Sequence, residues 1–71
     1  MEFLVIVEKG KSGYGAYVPD LPGCVAVGES RRGVMKLIRK GIPLHIRAMR
    51  EAGEPAPVPS TKSEIVKVRA A

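Results

Sequence analysis

The chain has 71 residues and one cysteine, with twelve Lys and Arg against seven Asp and Glu and a formal net charge of +5. A single cysteine excludes an intrachain disulfide, and one cysteine with one histidine excludes a Cys/His metal site; no apolar run approaches the roughly 20 residues of a membrane helix. A chain this short buries only about 60% of its unfolded surface, and with disulfide and metal staples excluded, self-association is the expected support.

Residues 1–71 read as one α+β domain in the order β-β-β-α-β, a small antiparallel sheet with one covering helix in two layers. The start, "EFLVIVE", is apolar on both alternating sets, Phe3, Val5 and Val7 against Leu4 and Ile6, which predicts a central strand covered twice. An acid precedes this run and no cleavage-type end follows it, so it does not read as a secretory signal, and a cytoplasmic protein is expected. "KGKSG" is a polar hairpin loop, "YGAYV" the second strand and "CVAVGE" the third. Gly10, Gly13 and Gly15 do not read as a phosphate cradle, because no helix follows them.

Between the second and third strands lies "VPDLPGC". Pro19 and Pro22 fix two φ angles and push Val18 and Leu21 extended, while Gly23 permits a positive φ. Asp20 has a side chain suited to capping a local turn. The expectation is a stiff, low-entropy corner whose residues Pro19, Asp20, Leu21, Pro22 and Gly23 contact a partner.

Residues 30–52, "SRRGVMKLIRKGIPLHIRAMREA", predict one helix with Ser30 as N-cap and Gly53 as its stop. Successive residues about 100° apart put Val34, Ile38, Gly41, Ile42, His45, Met49 and Ala52 mid-face. Met35 and Ile46 flank them on one side, Leu37, Leu44 and Ala48 on the other. The apolar arc, about 200° wide, is twice what a helix on one sheet needs. Met35, Ile42, His45, Ile46 and Met49 are therefore expected at an interface of a dimer or tetramer. Arg32, Lys36, Arg39, Lys40, Arg47 and Arg50 form the opposite face and are candidates for nucleic-acid phosphates. The scarcity of aromatics and the lack of a second helix for a helix-turn-helix argue against that use. Gly41 and Pro43 weaken the helix by about 1 and about 3 kcal/mol, predicting a bend or a division into two shorter helices. "GEPAPVPSTKS" alternates Pro55, Pro57 and Pro59 and reads as an extended connector, and "EIVKVR" as a last edge strand.

No catalytic site, cofactor or metal is expected. Asp20 is the single aspartate, and the glutamates lie at strand ends, helix ends and the connector, so no spacing gathers the acids of a metal-dependent nuclease. Cys24 with His45 is a conceivable nucleophile–base pair; a small strand hydrophobe and a packed helix histidine explain both more simply.

"YGAYVPDLPGCVAVGES", a helix of about twenty residues and "EAGEPAPVPS" together resemble the HicB-like antitoxin family over residues 2–69. The resemblance implies a partial ribonuclease-H-like fold without the nuclease acids. It also implies a non-catalytic role, binding and occluding a small toxin that cleaves messenger RNA, as dimers or higher oligomers. Many members add a C-terminal DNA-binding module; this sequence ends directly after its last expected strand, so none is expected here. The helix opening, "SRRGVMKLIRKG", departs from the family's acid-rich Thr-Leu-Glu-Glu-Ala-like segment. Such a cationic face would repel a basic toxin. The expectation is that a toxin docks elsewhere, or that the protein is a solitary paralogue with a different partner.

Overall fold

The computed structural model describes residues 1–70. Three strands, β1 (Ile6–Lys9), β2 (Tyr14–Tyr17) and β3 (Val25–Gly28), precede one helix, α1 (Arg31–Glu51). The strands form an antiparallel sheet in the order β1-β2-β3. The central strand is therefore β2, not β1. The apolar start of the chain is an edge, its double-sided greasiness reflecting packing against α1 on one face and an uncovered sheet face on the other.

Register fixes which residues share a face. Val7, Ala16 and Ala26 form one rung, Lys9, Tyr14 and Gly28 another. This side meets α1: Ala16 is buried with Val18, Leu21, Cys24, Val34 and Ile38, while Phe3, Val5, Val7, Tyr14 and Ala26 pack around them. The opposite side carries Ile6, Tyr17 and Val25 in one rung and Glu8, Gly15 and Val27 in the next. There Tyr17, Val25 and Val27 are exposed.

The helix begins and ends by local chemistry. Ser30 is extended (φ −134°, ψ 156°) and its Oγ accepts from the Gly33 amide at 2.9 Å, satisfying one of the free amides of the first turn. At the other end Ala52 caps, Gly53 has φ +78°, and the Gly53 and Glu54 amides donate to the Arg50 and Met49 carbonyls at 3.0 and 2.8 Å. That paired pattern is a Schellman stop, with glycine at the left-handed position. The helix is continuous through Gly41 and Pro43, so two separate helices are excluded. Pro43 is on the exposed side, where water reaches a carbonyl left without its amide partner.

Residues 54–70 have no regular secondary structure. The expected last strand is thus not formed within this chain. Residues 64–69 have strand-like composition, but a strand requires a neighbour, and here they project free: Ile65, Val66 and Val68 are 99%, 77% and 78% exposed.

Candidate partner-binding site

The corner between β2 and β3 is two β-turns in succession. Leu21 N–H donates to the Val18 carbonyl and Cys24 N–H to the Leu21 carbonyl, each at 3.0 Å. Pro19 and Pro22 occupy the second position of their turns, where a fixed φ suits the geometry. Gly23, third in the second turn, has φ +86°, as a type II turn requires. Val18 N–H to the Cys24 carbonyl, 3.1 Å, closes the loop onto the strands. Leu21, at the junction of the turns, has no exposed surface. It plugs the corner into the core and offers nothing to a partner, whereas Pro22 and Gly23 are exposed and Pro19 and Asp20 half-buried.

Asp20 does not cap its own turn. Its Oδ2 accepts the Ser60 and Thr61 amides, both at 2.9 Å, and its Oδ1 accepts the Thr61 and Ser60 hydroxyls at 2.7 and 3.3 Å. The corner and the end of the proline connector, forty positions apart in sequence, are one construction. The Thr61 hydroxyl, followed by the two amides, holds the Asp20 carboxyl well below its usual value, to about 2, because every donor favours the ionised form.

The corner meets α1 at Gly23, where an added Cβ would lie 3.6 Å from the His45 ring. Pro22, His45, Ala48, Met49, Ala52 and Glu54 line a shallow concavity there. Of the residues expected at a subunit interface, Met35, Ile42, Ile46 and Met49 are half-buried against the chain's own core. The apolar helix residues left in solvent are others: Leu37 and Leu44 are 52% and 60% exposed, and Ala48 is exposed beside them. With Gly41, which has nothing within 4 Å of an added Cβ, they follow an i, i+4, i+7, i+11 spacing along one ridge. Sequence periodicity placed Leu37, Leu44 and Ala48 on the flank of the apolar arc; which flank the sheet covers was the missing information.

Arg32, Lys36, Arg39, Lys40, Arg47 and Arg50 are all exposed. No acid occupies the first turn to balance Arg31 and Arg32. Cys24 is 5% exposed, and burial pushes its thiol pKa up, the reverse of what a nucleophile requires. Among the described residues no three of His, Cys, Asp and Glu come together as metal ligands, and no helix is long and apolar enough to cross a membrane.

An open three-stranded sheet with one covering helix, its corner tied to the C-terminal connector, defines a small α+β protein. The family model described as HicB-like antitoxin of bacterial toxin-antitoxin system matches residues 3–70, and the chain belongs to that family. It is 35% identical over 57 residues to an uncharacterized 14.9 kDa protein in the rep-hol intergenic region of Haemophilus phage HP1, covering 80% of this chain and 43% of the relative. It is 39% identical over 41 residues to a UPF0150 protein of Helicobacter pylori, covering 58% of this chain and 57% of the relative. The chain thus spans about half the length of these curated relatives.

Proposed function

We propose that the protein is a non-catalytic antitoxin that binds and occludes a small mRNA-cleaving toxin through the uncharged ridge of α1 and the adjoining corner. The observation carrying this reading is the continuity of Leu37, Leu44 and Ala48, all exposed, with the concavity of Pro22, His45 and Met49. Contiguous exposed apolar surface marks protein contact sites, and a rigid two-turn corner loses little entropy when it docks. The ridge also lessens the charge conflict. Arg32, Arg39 and Arg50 lie about 140° or more around the helix from its centre, so a basic toxin docked there does not face them, while Lys40 and Arg47, three residues on from Leu37 and Leu44, border the ridge. In a HicB-like protein with no toxin, the same surface would serve a different protein partner.

The test is co-expression with the product of any short adjacent gene encoding a basic toxin, followed by co-purification. Leu44→Arg, on the exposed ridge, is expected to abolish or weaken binding by at least tenfold, the scale of a central interface residue, while the far-UV spectrum stays unchanged. Undiminished binding by Leu44→Arg and Ala48→Arg would overturn the docking site. Absence of any binding toxin would favour the solitary paralogue.

A second reading rests on the six exposed cations along one helix face, which would follow the phosphates of a nucleic acid.

A further inference from the structure

We propose that residues 64–69 of one copy complete the sheet of a second copy, each chain donating this segment to the free edge of the other's β1 in a two-fold exchange. The proposal is independent of the toxin reading.

The donor has the residue pattern of a strand. Glu64, Val66 and Val68 alternate with Ile65, Lys67 and Arg69, a pattern rich in β-branched residues. Its side chains are bare, with Ile65 almost wholly in solvent. Its departure point is fixed, because Asp20 holds Ser60 and Thr61 by four hydrogen bonds. Residues 59–63 pass beside Met1–Leu4, with which they line a common concavity. Beyond it the segment runs clear of the body instead of returning along its own β1. The shape records this: the extents are 52 × 27 × 16 Å and the radius of gyration is 14.3 Å, against about 11 Å for a compact chain of this length.

The acceptor is β1. It pairs only with β2, so its other edge presents unpaired amides and carbonyls, a template for an added strand. Between the residues that lead into β1 and α1 is a groove lined by Met1, Phe3, Ile42, Pro43, Ile46, Arg47 and Arg50. Two of the residues that sequence periodicity assigns to a subunit interface, Ile42 and Ile46, are part of its lining.

Charge and polarity match the two parts. One face of the donor carries Glu64 followed by Val66 and Val68, an acid to pair with Arg47 and Arg50 and two valines to meet the apolar lining. The other carries Ile65, Lys67 and Arg69, which would stand on the sheet side of Ile6 and Glu8. The occupant is thus a second copy of this chain, and reciprocal donation gives a closed dimer.

The test uses the full chain. Sedimentation velocity at micromolar concentration is expected to show a dimer, and Val66→Asp with Val68→Asp to convert it to a monomer retaining the helical far-UV spectrum. In a mixture of isotope-labelled and unlabelled chains, isotope-filtered NOEs are expected between residues 64–69 of one chain and residues 3–7 of the other. A wild-type monomer, a dimer unaffected by the double substitution, or NOEs between these segments only within a chain would each overturn the proposal.

Discussion

Asp20 shows how much one side chain can organise when its donors come from elsewhere in the chain. Both carboxylate oxygens are engaged by Ser60 and Thr61, and the pairing requires the ionised form. Its pKa is lowered in the folded chain to about 2. The contribution of the clamp is therefore fully present above the ordinary carboxylate pKa near 4 and is lost as pH falls through about 2. Amide exchange at Ser60 and Thr61, followed by NMR, is expected to be slowed at pH 5 and to reach unprotected rates near pH 1.5. Asp20→Asn should remove that protection at every pH while leaving the α1 amides protected. The clamp was not legible in the sequence. Asp20 and the Pro-Ser-Thr run stand out separately, but an aspartate in a turn usually serves its own turn, and nothing in the spacing says that two loops forty residues apart meet. Leu21 was likewise misplaced: a leucine among prolines reads as a contact residue until the fold shows that the corner closes around it.

At the scale of elements, what was legible is what local chemistry decides. Ser30 and Gly53 bound α1 as the sequence predicts, because a cap and a left-handed stop act within a few residues. Gly53→Ala places a Cβ at φ +78°, a cost of about 1–2 kcal/mol; with open space around the site no clash adds to it. Thermal unfolding of this variant should show a loss within that range. Strand composition was equally readable, but pairing was not. The sequence gives no information on whether residues 64–69 find an edge, and it placed β1 at the centre because edges and centres differ in neighbours, not in composition. Pro43 belongs here too. Its local cost predicted a bend or a break; the break does not occur, with Ile38 and Ile42 before Pro43 and Ile46 and Met49 after it all packed in or against the core.

At the scale of the molecule, the structure sets three surfaces apart: a cationic helix back, a neutral ridge running into the corner, and an apolar outer sheet face bearing Tyr17, Val25 and Val27. The arrangement puts Arg32, Arg39 and Arg50 far around the helix from the ridge, with Lys40 and Arg47 at its border. If nucleic acid is the ligand of the helix back, Arg39→Glu with Arg47→Glu should lower the slope of log affinity against log salt by about 2, one per lost phosphate contact. Filter binding at several salt concentrations measures this, and no retention of the unaltered chain at low salt would end that reading.

The proline connector has a further meaning once Asp20 is seen at its far end: it is a ruler. Extended residues each advance about 3.1–3.4 Å, so excising Ala56 and Pro57 would withdraw Ser60 and Thr61 by some 6–7 Å, beyond the span of any hydrogen bond. Shortening this stretch should therefore cost the clamp as surely as loss of the carboxylate, whereas added residues can bulge outward at small cost.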